Sequence, residues 1–325
     1  MLGVEYHNDF GISNSDLGLL KESPWMFRQV KDRKVERITA DYLALGTLIH
    51  LAVLQPDLFS VADIEKPSGL LGKFLDLYVE AGSNAEAAKY AYEKSGYKLP
   101  FKTVMKKLEE NDIIEYLEFI KTSAGKVVLT RNQKYVIDNA QRGIERNPEA
   151  SKMLFDKVSD SYDEFNEQSL FGVLDGVRLK GQPDRVVIDH TNKKILLIDL
   201  KSTSSAPYFR ITKVHNTGNL LIDYYGTGFF GSFKSYAYYR QLAYYKTLVA
   251  ENFKQYFDKY TFECYIAAVN TTSSFDCALI KVSDTWLNFG RTEFEELLFS
   301  YKEHQKENQW EYPIIHSQKG VINLL

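Results

Sequence analysis

Residues 181–203, GQPDRVVIDHTNKKILLIDLKST, place three ionisable side chains at the ends of two apolar runs. Val186–Ile188 and Ile195–Ile198 read as strands, yet Asp184 precedes the first, and Asp199 and Lys201 close the second. With Thr191-Asn192 as a two-residue hairpin loop, Ile188 faces Ile195, Val186 faces Leu197 and Asp184 faces Asp199. With Asp175-Gly176, a favoured turn dipeptide, as the preceding hairpin turn, Glu167 falls opposite Asp184. Three carboxylates then line up across three adjacent strands. Lys201 projects from the same face as Asp199, because strand side chains alternate with period two. A bulge at Pro183 would break the Glu167 match but not the Asp199–Lys201 relation.

Several anionic oxygens within a few Å repel one another unless a cation sits among them. Hard oxygen donors select Mg2+ or Mn2+, which keep waters that can serve as nucleophiles. A neighbouring lysine can orient or deprotonate such a water, or stabilise charge on a phosphorus-centred transition state. The chemistry suits phosphodiester hydrolysis. An Asp-x-Lys triplet alone is weak evidence, since Asp at a strand end is commonly a turn or solvated residue. The Pro183-Asp184 pair at matching register is what strengthens it.

These residues need a scaffold. At 325 residues and 44% hydrophobic, with apolar residues spread along its length, the chain can bury a sizeable core. A net charge of −3 argues against a broadly basic surface but leaves room for a basic groove offset by acidic residues elsewhere. Cys264 and Cys277 match no zinc spacing and cannot hold a four-cysteine iron–sulfur cluster, so no such cluster and a reducing compartment are expected. The leading MLGVEYHNDFG has no apolar signal core, and no run approaches the ~20 apolar residues of a membrane span. The expectation is a soluble cytoplasmic protein with no membrane partner. The lysine of GLLGKF lacks Walker spacing, so no ATP use is expected.

Ser13 and Asp16 make a capping box with an Ile12–Leu17 staple, and Pro24 opens a second helix. Residues 39–55 read as an apolar helix containing His50. Residues 64–130 read as a helical insertion in a single domain spanning 1–325. A long helix stops near Asn147-Pro148, strand texture runs from 162 to 202, and a Gly/Tyr-rich loop follows. A helix beginning at Ser232, two strands and a closing helix capped by Ser283 complete the chain.

Pro183-Asp184 with Asp199-Leu200-Lys201 resembles the PD-(D/E)XK signature, with Asp in place of the commoner Glu. ISNSDLGLLKESPWMF, LALGTLIHLAVLQPDLF, the EQSLF…LIDLKSTSSA core and YYRQLAYY are similar, in order, to segments of RecE/exonuclease VIII-like (RecB-type) phage and prophage exonucleases. The resemblance implies an α/β fold with a restriction-endonuclease-like core, a mixed central β-sheet flanked by helices. It also implies a Mg2+-dependent deoxyribonuclease, with Mn2+ as a substitute, acting on double-stranded DNA ends from 5′ to 3′ in recombination. A single-strand annealing partner, a ring-forming homo-oligomer and the cytoplasm of a bacterial host come with it.

Residue by residue, the resemblance assigns Asp184, Asp199, His50 and Glu167 to the metal, with Glu164 a nearby competitor for Glu167. Lys201 corresponds to the catalytic lysine, and Gln241 and Tyr245 to a Gln-x-x-x-Tyr pair contacting DNA. Gln182 stands where many relatives carry a basic residue. Tyr208–Ser232 is long and aromatic-rich, either a loop stacking on unpaired bases or a packed hairpin. Two other readings stay open: a structure- or sequence-specific endonuclease on the same fold, and a non-catalytic DNA-binding or assembly module.

Overall fold

The computed structural model describes residue 6 and residues 9–35, 41–56, 64, 66–122, 129–155, 161–205 and 228–310. The expected loop at Tyr208–Ser232 lies outside the described residues up to position 227. The chain divides into two compact units, Met1–His50 with Arg142–Leu325, and Leu51–Gln141.

From Asn14 the described residues form α1 (Asn14–Glu22), α2 (Pro24–Lys31) and α3 (Asp41–Leu54). The Ser13 hydroxyl accepts from Asp16 N–H while the Asp16 carboxylate accepts from Ser13 N–H, the reciprocal cap expected from the sequence. The second unit contains α4 (Gly69–Glu80), α5 (Ala85–Ser95), α6 (Phe101–Lys107) and α7 (Asn111–Thr122). Its small core gathers Phe74, Leu75, Ala91, Val104, Ile113 and Tyr116. The segment 64–130 lies inside this unit. Helix α8 (Arg131–Glu145) returns to the first unit, and α9 (Pro148–Phe155) starts on its proline.

Strands β1 (Tyr162–Asn166), β2 (Leu170–Leu174), β3 (Val177–Gly181), β4 (Arg185–Asp189) and β5 (Lys194–Thr203) follow. Next come α10 (Gly228–Ser235), α11 (Tyr238–Asn252), α12 (Lys254–Phe257), β6 (Thr261–Asn270), β7 (Cys277–Lys281) and α13 (Asp284–Glu307). The main sheet has the order β1-β4-β5-β6-β7; β5 and β6 run parallel and the other neighbours antiparallel. This is a mixed central sheet flanked by helices. Every residue of β4 is buried, which explains why the sequence there shows a continuous apolar run rather than alternation.

Register is as the turn chemistry predicts. Asp175 (φ 49°) and Gly176 (φ 79°) form the two-residue turn, and Leu174 pairs with Val177. The same register continues beyond a bend, where Asn166 pairs with Arg185, and Glu167 N–H donates to Asp184 O at 2.9 Å. Both strands bend at the same level around Pro183, so the bend introduces no slip. Ile188 pairs with Ile195 and Val186 with Leu197, also as expected.

The β4–β5 loop differs from expectation: paired residues end at Asp189 and Lys194, leaving a four-residue turn, His190–Lys193. The Asp189 carboxylate accepts from Asn192 N–H (2.8 Å) and Asn192 Nδ2 (2.7 Å), and Lys193 sits at φ 51°. Those side-chain bonds replace one rung of the ladder.

The helix expected from Ser232 is two helices, α10 and α11, separated at Ala237, whose φ of 50° and ψ of 46° are left-handed. Ser283 does precede α13, though its side chain makes no capping hydrogen bond. No helix among the described residues is long and apolar enough to cross a membrane.

Helix α11 covers one sheet face: Leu242, Tyr244, Leu248 and Val249 join Ile195, Leu197, Ile266 and Ala268 in a single core. Helix α13 packs against α11 at Gly290, where an added Cβ would lie 2.3 Å from Tyr239 O and 2.9 Å from Arg240 Cα. Those are backbone atoms that cannot step aside. Gly290→Ala is therefore expected to cost about 1–3 kcal/mol of stability, read from urea denaturation. An unchanged midpoint would show that the two helices separate freely.

Candidate active site

Helix α3 carries His50 to the frayed end of the sheet. Gly46, one turn earlier, marks where this helix comes close to β5: an added Cβ would lie 3.2 Å from Ser202 Oγ. His50 Nδ1 lies 3.5 Å from Glu167 Oε1 and 3.6 Å from Asp184 Oδ1. One donor atom from each of the three falls within 4.8 Å of the others. Glu167 reaches this place from a left-handed residue (φ 51°) just beyond β1, and Gln182 Nε2 donates to its carbonyl at 2.7 Å. Gln182 thus orders the Glu167 turn. Glu164 is occupied elsewhere: its carboxylate pairs with the Arg185 guanidinium, which also donates to Asn166 Oδ1 at 2.9 Å.

Asp184 does not pair with Asp199 as a rung of the ladder. The last pair is Arg185 with Ile198, and Asp184 instead accepts the Leu200 N–H through Oδ2 at 2.6 Å. Of the four residues expected at a metal, the structure gathers His50, Glu167 and Asp184, and leaves Asp199 outside that group. Asp199 is 0% exposed and its Oδ2 contacts Lys201 Nζ at 2.7 Å. Neither of its oxygens has a geometrically sound hydrogen bond among the described residues. Period-two alternation places the Asp199 and Lys201 side chains together, as the sequence predicts.

Burial dominates the electrostatics. It pushes Asp199 up to about 6, against the pull of Lys201 and with the repulsion of Asp184. Burial raises Asp184 too, with Glu167 adding to the rise while His50, Lys201 and the Leu200 N–H oppose it. For His50 burial works against the charged form, but Asp184 and Glu167 outweigh it and the imidazole pKa is raised. Burial likewise disfavours charge on Lys201, and Asp199 with Asp184 more than compensates, so this side chain is an ammonium. The result is three carboxylates sharing a buried space with one imidazole and one ammonium.

Gln241 and Tyr245 stand one turn apart on α11, and Gln241 Nε2 donates to the Tyr245 hydroxyl at 3.2 Å. Burial, then Asp184 and Asp199, raise the Tyr245 pKa, so its hydroxyl keeps its proton. A residue missed in the sequence is Tyr238, whose ring centroid lies 5.1 Å from Lys201 Nζ. The signal was present: positions 238, 241 and 245 share one helical face.

A cleft of about 770 Å³ opens on this group, lined by His50, Glu167, Asp184, Lys201, Ser202 and Tyr238 among others. One imidazole nitrogen and two carboxylate oxygens make a donor set for a divalent ion, and a charged, hydrogen-bond-poor carboxylate at Asp199 stands beside it. The residues present fit a divalent metal ion.

The sequence matches the family model described as "PDDEXK-like domain of unknown function (DUF3799)" over residues 13–313. Among solved structures, a candidate exonuclease from Eubacterium rectale aligns with a TM-score of 0.49 at 12% identity, over 99% of this chain and 92% of that one. No curated protein matches the sequence.

Proposed function

The chain belongs to the PDDEXK-like domain family, and from that membership we propose that it is a divalent-metal-dependent deoxyribonuclease hydrolysing phosphodiester bonds, most specifically an exonuclease on double-stranded DNA ends. The observation that carries the proposal is the meeting of His50, Glu167 and Asp184 within 4.8 Å, in the cleft that Lys201 also lines.

In this reading His50, Glu167 and Asp184 hold Mg2+, or Mn2+ in its place. Such an ion, when bound, supplies Lewis acidity and lowers the pKa of water. The chain's own groups do the rest. Lys201 presents positive charge to the phosphoryl oxygens, where negative charge grows in the transition state. Asp199 holds that ammonium in place through their 2.7 Å contact. The Tyr245 hydroxyl, accepting from Gln241, turns its proton toward a phosphate oxygen. Hydrolysis adds a water oxygen to phosphorus and breaks one P–O ester bond, with a proton delivered to the departing oxygen. The 5′ to 3′ polarity, recombination role, annealing partner, ring assembly and cytoplasmic setting are supported by the sequence resemblance alone.

The test uses linear double-stranded DNA labelled separately at its 5′ and 3′ ends, beside closed circular DNA, with Mg2+ or with EDTA. Release of nucleotides from linear DNA only, abolished by EDTA, is the expected result, and the label lost first gives the polarity. Cutting of the circle would replace the exonuclease with an endonuclease. DNA binding without cleavage under any divalent ion would leave only a binding module.

A further inference from the structure

The active-site cleft has a neighbour. A second cleft, of about 1050 Å³, runs past Ser13, Asn14, Lys180, Lys234, Gln241 and Tyr245. Its basic side chains outnumber its acidic ones, although Lys21 and Arg240 are partly offset by Glu293. The Gln241–Tyr245 pair faces this second cleft, while Lys201 and Asp184 face the first. Among the described residues, Tyr236 alone lines both.

With 22 tyrosines in the chain, an exposed one says little by itself. Tyr236 differs in its placement. Its side chain is largely in solvent, the residue being 64% exposed. It sits between α10 and α11, immediately before the left-handed Ala237. A non-glycine residue in that region costs conformational energy, and such strain persists where surrounding structure holds it, often near functional sites. The break leaves Tyr236 at the junction, outside both helices. Its ring stands 5.7 Å from that of Tyr238, tilted by 34°, and the Tyr238 ring in turn faces Lys201. A row of two aromatic faces therefore leads from the junction of the clefts to the lysine.

A base that has left its stack offers a π-face, and tyrosine receives it with little loss of side-chain entropy. A duplex offers no free base face along its length. We propose that Tyr236 stacks on an unpaired nucleobase of the substrate strand as that strand crosses from one cleft to the other. The assignment rests on the nuclease reading and deepens it: the site takes a strand whose terminal bases are separated from their complement. Basic side chains in the second cleft track the phosphates, and the aromatic row at the junction sets the position of the scissile one.

The test titrates wild type, Tyr236→Ala and Tyr236→Phe with a short single strand carrying 2-aminopurine, whose fluorescence falls on stacking, and with a blunt duplex of the same sequence. Ca2+ replaces Mg2+, since it binds carboxylates in a looser geometry. Cleavage of end-labelled DNA with Mg2+ is measured in parallel. Wild type and Tyr236→Phe are expected to quench the probe and bind alike. Tyr236→Ala is expected to bind the single strand about tenfold more weakly, to lose the quenching, and to lose less affinity for the duplex, whose end must open before a base reaches the ring.

Cleavage by wild type together with unaltered affinity and quenching in Tyr236→Ala would overturn the Tyr236 assignment alone. An equal loss on the duplex would overturn it as well, because a stacking residue acts on unpaired bases. Quenching that is lost in Tyr236→Ala, without cleavage by any form, would support the strand contact and remove the nuclease reading. No binding and no cleavage by wild type would overturn both.

Discussion

Asp184→Asn is expected to lower DNA cleavage by about a thousandfold or more, with a thermal midpoint that does not fall. Activity and stability separate here because Asp184 is costly to the folded chain when ionised. Burial pushes its carboxyl up and Glu167 adds to the rise, so its charge opposes folding while it offers an oxygen to a cation. The amide is nearly isosteric and keeps an oxygen for the Leu200 N–H, now at 2.6 Å. What it removes is the negative charge beside His50 and Glu167. The comparison needs three readouts on the same preparation: cleavage rate with Mg2+, the melting midpoint in EDTA, and the rise of that midpoint on adding the ion. Wild type should gain stability from the ion through mass action, and the variant should gain much less. A variant that melts well below wild type in EDTA would mean that Asp184 is a structural carboxylate and that the site is misread.

Lys201→Met is the second large effect: kcat for cleavage should fall by about 100- to 1000-fold, with KM for DNA little changed. The ammonium is held 2.7 Å from Asp199 Oδ2 and 5.1 Å from the Tyr238 ring, so it is fixed before substrate arrives. A charge fixed in advance favours the transition state over the ground state, which is why the loss should appear in kcat. Methionine keeps much of the side-chain volume against Tyr238. It also leaves Asp199, which is 0% exposed, without its cation, and removing one partner of a buried pair is strongly destabilising. Lys201→Met should therefore melt lower than wild type. Adding Asp199→Asn to it should recover the midpoint without recovering cleavage. If the double variant cleaves DNA as wild type does, Lys201 has no part in the reaction. If Lys201→Met raises KM with kcat intact, the lysine binds DNA uniformly and the electrostatic role is lost.

Much of this arrangement was legible in the sequence. Asp175-Gly176 selects a two-residue turn, and counting outward from it puts Glu167 opposite Asp184 even across the Pro183 bend. The Asp199–Lys201 pair follows from alternation alone. The Ser13–Asp16 cap is equally local, since four residues supply both hydrogen bonds. In each case the interacting groups are near in sequence or lie on paired strands, where backbone geometry leaves few choices.

Other features needed the folded chain. His50 and Glu167 are 117 positions apart, and their meeting depends on α3 packing beside β5, where Gly46 nears Ser202. Nothing near either residue encodes that approach. That the Leu200 N–H goes to the Asp184 side chain also depends on tertiary context, because β4–β5 pairing ends at Arg185 with Ile198 and the carboxylate takes the next donor along β5. The break at Ala237 was invisible because SFKSYAYYRQLAYY holds no Gly or Pro to mark it, yet Ala237 adopts a left-handed conformation there. The sequence by itself determined the carboxylates, the lysine and their register, since strand pairing is a local hydrogen-bonding problem. Only the tertiary structure decided that His50, from a distant helix, brings a donor atom within 4.8 Å of Glu167 and Asp184, since that outcome turns on which distant side chains share a buried, poorly solvated space.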